Sequence, residues 1–522
     1  MMEENSVYGN PLVYKVADSE KSVAICLRER LCGNIPARVV LYFLSWSGFL
    51  VSFMLRTDIN LAIVAMVKFR PPTDNDTSPD TCIDPDLIIT NNGSLPTDGE
   101  FDWSSSIQSS ILGSFYWAYI ISQVIGGLAT QKLGTKRVFG YAQLCTAFGS
   151  LLMPLAADTH YGAVIALRFL QGFASGLTWP AMYAVVGHWI PTAERSRFMS
   201  SFQGFSIGIG LTYPLCGFLI AHFGWRSVFY TTGSIGIAWC FIWYMLAFDS
   251  PETHPRISTS ERQYIADNTV QTLASSRKQK VPWKKILTSM PAWSIGITTF
   301  GRIWVHYTFI IPGPSYMKSI LGFHIQENGI LSGAPFILSY LSSVVFCYMA
   351  DQLVNRKWMS LKNVRKLFTA LAQVVPGILC VLIGYLGCDV IPVLIVWFIA
   401  VTMITAAYAG AMANIVDISP NFAGPVLAFA QTIHMSASFL SPIAAGYWTS
   451  DGHTLTAWRG IFITAGVVAV ATYLVYQIFG SAEVQPWNNP DASSANDAET
   501  ASMMDTNDEN KLKDEEKNNP TA

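Results

Sequence analysis

Charge is scarce in this 522-residue chain. Only 13% of the residues are Asp, Glu, Lys or Arg, against 51% hydrophobic, and the mean hydropathy is +0.33. A soluble core of this size has no need of so apolar a composition, so the class is membrane protein. The ingredients of catalysis are also missing. No loop carries a nucleophile with its base, or His, Cys, Asp and Glu at metal-ligand spacing, so neither an enzyme nor a bound metal or cofactor is expected. Gly208 and Gly210 lie in an apolar run with no strand before them, which removes a nucleotide-binding reading. The net charge of −2 singles out no partner, because its acidic part is concentrated in the C-terminal tail, and no nucleic acid is expected.

Long apolar runs are what the chain has instead. Stretches of about 20 apolar residues, enough to cross roughly 30 Å of hydrocarbon, recur twelve times. They fall near 38–67, 105–127, 138–156, 162–187, 199–222, 228–248, 291–317, 328–350, 367–387, 391–415, 423–448 and 460–479. They predict an all-α membrane protein of twelve transmembrane helices in the lipid bilayer. The polar stretch 249–290 divides them six and six, giving an N-terminal bundle over 38–248 and a C-terminal bundle over 291–480. Two such bundles suit alternating access, in which they rock about a site near the bilayer midplane. The tails 1–37 and 481–522 are too polar to bury a core and are expected to be disordered.

Lys and Arg set the orientation. With both termini cytoplasmic, only Lys68, Arg70, Arg226, Lys318 and Arg459 fall outside, and Arg56, Arg168 and Arg302 lie within apolar segments; the rest of the 33 are inside. The sequons at Asn75 and Asn92 agree, since both lie in the 68–104 loop that this topology places outside, where they would be glycosylated. The first apolar segment follows a long polar stretch and reads as a retained signal-anchor. Cys82 and Cys388 are the cysteines on the outer side, and whether they form a disulfide stays open.

The loop GGLATQKLGTKR holds Gly127, Gly134, Lys136 and Arg137 at the spacing of the major facilitator signature loop. A degenerate counterpart, MADQLVNRK, with Asp351 and Arg356, sits at the equivalent place in the second half. LRFLQGFASG, with Arg168 and Gly172, resembles the same superfamily's R-x-x-x-G pattern; tight packing with a structural arginine explains it equally well. These residues are expected in gating or structural roles.

Longer strings, FDWSSSIQSSILGSFYWAYIISQVIGG, RFLQGFASGLTWPAMYAVVGHWIPTAERSR, GWRSVFY and NIVDISPNFAG, resemble the anion symporter family of sialin, the vesicular glutamate transporters and the type I sodium-phosphate cotransporters. Within it the chain looks most like the inorganic phosphate cotransporters of invertebrates. The resemblance implies the major facilitator fold and secondary active transport of phosphate, glutamate, sialic acid or another organic anion. The family's arginine in an L-R-x-N-L string is matched by Arg56 in LRTDI, and a second arginine by Arg302 in FGRIWVHY. Proton-coupled members carry a glutamate where Ser175 stands and a histidine where Tyr183 stands, and a histidine of some glutamate carriers is replaced by Leu112. Those departures move weight toward a plasma-membrane, cation-coupled carrier, with sodium or a proton as the co-transported ion. A lysosomal or vesicular location remains the alternative.

Arginine in mid-membrane costs roughly 2.5 to 3.5 kcal/mol, so it persists only beside a partner or a watery cavity. The few acids within the helices cannot neutralise Arg56, Arg168 and Arg302, which leaves positive charge for an incoming anion. The planar fork of arginine suits carboxylate or phosphate. Asp58 admits two readings, as a ligand for sodium or carrier of a proton, or as a packing or pairing group for another helix; a static ion pair with Arg56 is the competing account of that arginine. His306 lies one turn beyond Arg302 and, with Tyr307, can bond an anion's oxygens or relay a proton, or can be a satisfied interior group. Tyr183 and Ser175 enter as pocket residues through the resemblance alone. The expected protein is a monomeric carrier of a small anionic substrate. A proton- or potential-driven organellar carrier and a non-transporting nutrient receptor are the competing functions.

Overall fold

In a computed structural model, residues 35–68, 99–191, 194, 198–278, 281–420, 422–450 and 452–488 are described. Asn75, Asn92, Cys82 and most of both tails lie outside them. All twelve apolar segments are helical. They are α1 (Ala37–Met66), α2 (Ser105–Leu133), α3 (Thr135–Thr159), α4 (Tyr161–Gly176 with Thr178–Trp189), α5 (Ser200–Gln203 with Gly204–Phe223) and α6 (Trp225–Leu246) in the first half. The second half holds α7 (Met290–Ile310 with Gly313–Ser319), α8 (Ile325–Asn355), α9 (Leu361–Leu386), α10 (Val390–Met403, Ile404–Tyr408 and Ala411–Ile418), α11 (Ala423–Met435 with Ala437–Trp448) and α12 (Leu455–Phe479).

Nine of these described spans are long and apolar enough to cross a membrane, and α2, bent by 54° between Gln123 and Ile125, makes a tenth. The other two, α4 and α7, are broken. Proline explains both breaks: Pro180 and Pro314 have no N–H for the carbonyls of Gly176 and Ile310 four residues earlier, and the regular helix stops near those carbonyls. Polar side chains cap other starts. Ser104, Ser360 and Thr454 accept from the backbone N–H of Ile107, Asn363 and Ala457.

Close helix approach builds each half. A side chain at Gly172 would strike the Phe115 carbonyl of α2, so α4 packs directly on that backbone. Between the halves α5 lies along α8, α2 along α11, and the short second piece of α7 against α1. The polar stretch between the halves is not structureless, since it forms helices at Thr259–Lys278 and Trp283–Thr288. The Glu261 carboxylate there accepts from the N–H groups of Ala37 (3.0 Å) and Arg38 (3.2 Å), capping α1 from another segment. Arg38 also pairs with Glu261 (3.0 Å) and Glu194 (2.5 Å). At the opposite end Arg226 joins Glu100 (2.7 Å) and Asp158 (2.6 Å). Cys388 is disulfide-bonded, and Cys145, Cys216, Cys240, Cys347 and Cys380 are free.

A cradle of arginines between the two halves

Arg56 is 1% exposed, in the middle of α1. Its guanidinium lies among the rings of Phe53 (4.9 Å), Phe115 (5.2 Å), Tyr116 (4.6 Å) and Tyr119 (4.6 Å), and of Tyr307 (5.6 Å) from the other half. Desolvated cation–π contacts are worth up to ~2 kcal/mol each. Two or three of them match the roughly 2.5 to 3.5 kcal/mol cost of arginine in mid-membrane, so this cation is held without a counter-ion. Nε donates to the Tyr116 hydroxyl at 3.4 Å, while Nη2 is buried and has no partner.

Arg302 faces it from α7, with its guanidinium 5.8 Å from the Tyr408 ring and its Nε buried and unbonded. One turn on, His306 lies edge-on to Phe336, and its Nδ1 is buried without a partner. His306 lies within the electrostatic reach of both Arg302 and Arg56. Tyr307, whose ring meets that of His306 edge-on at 5.9 Å, turns to the first half and meets Tyr116 edge-on at 5.1 Å. His434 on α11, also with an unbonded buried Nδ1, lies within reach of the Arg302 charge.

Asp58 and Arg168 sit behind this cradle. The Asp58 carboxylate accepts from Thr232 Oγ1 (2.8 Å) and from the Ile59 N–H (2.7 Å), and among the described residues it makes no ion pair. Arg168 donates to the Arg56 carbonyl (3.1 Å) and to Gln171 (3.3 Å), clamping α4 to α1. Tyr183 is half-buried against Trp179 and Phe202, with Tyr408 and Tyr119 in its electrostatic neighbourhood. Ser175 is buried in α4, where its carbonyl accepts from Thr178, and no bond joins it to the arginines.

The signature loop closes on a residue that sequence reading missed. Gly134 has φ +82° and ψ 158°, and a side chain there would press on the Asp249 carboxylate. Asp249 accepts from the Lys136 N–H (2.7 Å), and the Lys136 ammonium lies 4.4 Å from the Phe248 ring. Arg137 and Asp351 are exposed, and Gly127 has open space around it. In the second half Arg365, near the start of α9, grips Asp417 near the end of α10 with its fork (2.6 and 3.3 Å). Phe115 and Tyr119 of the Arg56 box were also missed. Phe115 and Tyr119 share a face of α2 at helical spacing, a pattern that rings which only pack show as well.

Paired bundles around a central cradle of unpaired donors are the build of a membrane transporter. Comparison with known proteins gives the family. Residues 39–405 match the Major Facilitator Superfamily. Sialin of Ovis aries is 33% identical over 481 residues, covering 91% of this chain and 94% of that protein. Vesicular glutamate transporter 2 of Bos taurus is 32% identical over 479 residues, 91% and 79% of the two chains. Among solved structures, a bacterial homologue of the human lysosomal transporter Spinster, inward-facing and unoccupied, aligns with a TM-score of 0.62 at 12% identity, over 87% of this chain and 100% of that one. A D-xylose–proton symporter aligns at 0.58 and 13%, over 86% and 99%. The chain belongs to the Major Facilitator Superfamily, in the family of sialin and the vesicular glutamate transporters, and is a multi-pass membrane transporter, not an enzyme.

Proposed function

We propose that this protein carries a small anion by alternating access, the halves 38–248 and 291–480 rocking about Arg56 and Arg302. The observation that carries the reading is the unbalanced charge in the core. Each half offers an arginine with an unbonded buried nitrogen, and the nearby acid Asp58 is held by Thr232 rather than by either arginine. An oxyanion entering from one side supplies the missing acceptors. His306 and Tyr307 flank it, and Tyr183 and Ser175 line the path on the first half.

The preferred version is sodium-coupled symport of inorganic phosphate or an organic anion at the plasma membrane, with Asp58 serving the cation. Ser175 and Tyr183 support it, since both stand where a proton-coupled relative has a titratable group. The second reading, a proton- or potential-driven carrier of glutamate or acidic sugars in a lysosomal or vesicular membrane, is favoured by the names of the relatives. Glycosylation at Asn75 and Asn92 and a monomeric state belong to the same proposal. Uptake of labelled phosphate, glutamate, sialic acid and urate by purified protein in liposomes, under separate sodium, proton and voltage gradients, decides among them. Flux that ignores sodium and collapses with the pH gradient overturns the preferred version. Binding without flux under any gradient turns the reading to a nutrient receptor.

A further inference from the structure

Transport by this fold requires the halves to part on each side in turn. On the side that the charge distribution assigns to the outside, they are joined through backbone oxygens that have lost their helical donors. The Ile310 carbonyl is one. Its donor four residues on is Pro314, which has no N–H, so the oxygen is freed inside the bundle, where an unmet acceptor is costly. Two side chains of the other half fill it: Tyr213 of α5 donates its hydroxyl at 2.5 Å, and Asn60 of α1 donates Nδ2 at 3.3 Å. Asn60 also donates to the Tyr213 oxygen at 3.3 Å. The second freed oxygen is that of Val64 in the last turn of α1. The N–H that would serve it belongs to Lys68 and turns instead to the Phe101 carbonyl (2.9 Å). Lys318, at the far end of the broken α7, donates its ammonium to Val64 at 2.7 Å, placing a cation on the negative end of α1.

We propose that Tyr213, Asn60 and Lys318 are the positioning residues of helix α7 in the transport cycle. They hold its break against α1 and α5, keep the outer side shut, and must let go for the site to open outward. The same helix carries Arg302, His306 and Tyr307, and Tyr307 lies less than one turn before Ile310, so the second half's share of the cradle moves with the latch. This inference rests on the alternating-access reading and not on which anion is carried.

The test needs no substrate. Ser109 of α2 and Ser315 of α7 line a crevice between the halves on this side. Ser109→Cys reports opening through its rate of modification by a membrane-impermeant methanethiosulfonate, read against the same chain without that cysteine. Tyr213→Phe keeps the ring and removes the donor, and Lys318→Met removes the cation. Each should raise the rate at least about threefold, and Lys318→Arg should bring it back. Unchanged reactivity in variants that elute as the wild type does in size exclusion overturns the proposal. Should those variants fail to fold, cysteines placed at Val64 and Lys318 and bridged by a short bifunctional thiol reagent give the converse test. The bridge should suppress modification at Ser109→Cys until reductant is added, and a bridged protein that still reacts at the wild-type rate also overturns it.

Discussion

At the scale of single residues the two arginines are not equivalent. Arg56 is surrounded by rings, which a compact ammonium can also use, whereas Arg302 touches one ring and otherwise presents its fork. Arg302→Lys should therefore cut anion uptake in liposomes by at least about tenfold, with expression and thermal stability near wild type. Arg56→Lys should keep a larger share of the activity. Near-normal uptake by Arg302→Lys would remove two-pronged recognition at that position. Both arginines were legible in the sequence because charge is so rare in apolar segments that each instance asks for a reason. The box around Arg56 was not. Aromatic side chains are common in membrane helices, and nothing in a linear pattern separates Phe115 and Tyr119, which enclose a cation, from rings that only pack. The static pair of Arg56 with Asp58, expected because intramembrane charges commonly pair, does not form: the carboxylate turns to Thr232 on α6.

At the scale of elements, apolar length told the helices apart and their order, but tertiary partners fixed how they end. Gly134 could be recognised as a turn residue from its motif. That its missing side chain makes room for Asp249 depends on a contact across 115 positions, 134 to 249, which spacing along the chain cannot show. Its φ of +82° with ψ 158° belongs to a region that is essentially glycine-only, so Gly134→Ala pays about 1 to 3 kcal/mol of backbone strain and displaces the Asp249 carboxylate as well. The melting temperature in detergent should drop by several degrees. An unchanged melting curve would mean that the loop relaxes freely. The same limit hid the cap that Glu261 places on α1, since the stretch around it reads only as polar.

A second tie between elements is sensitive to pH. Glu100 joins Arg226, which also binds Asp158, and accepts from Trp225 Nε1 at 3.1 Å. The bond from Arg226 holds the Glu100 carboxyl below its ordinary value. A lowered folded value means that the tie stabilises fully above the unfolded glutamate pKa, about 4.3, and is lost as pH falls through the folded value. Both side chains are more than a third exposed, so the effect is small and screened by salt. Comparing melting temperature against pH for the wild type and Glu100→Gln should give curves that separate above about pH 4.3 and converge below it. A gap that stays constant from neutral pH to below that range would assign the residue a role other than its charge.

At the scale of the whole molecule, the buried charge is divided between the halves. The first half carries Arg56, Arg168 and Asp58, and the second carries Arg302. Arg168 is committed to the Arg56 carbonyl and Gln171, and its charge acts on Asp58; on the proposed reading one arginine on each wall meets the anion and Asp58 serves the cation. On that reading α1 couples cation to anion by holding Asp58 and Arg56 two residues apart in one moving helix. Asp58→Asn keeps an acceptor for Thr232 and removes the charge, so the fold and anion exchange should persist while accumulation against a gradient is lost. Liposomes separate these outcomes, since exchange of labelled phosphate at equal concentrations asks only for a moving site, and uphill uptake driven by sodium asks for coupling. Loss of both in folded protein would return Asp58 to a structural role. Retention of both would place the cation site elsewhere, or leave membrane potential as the driving force.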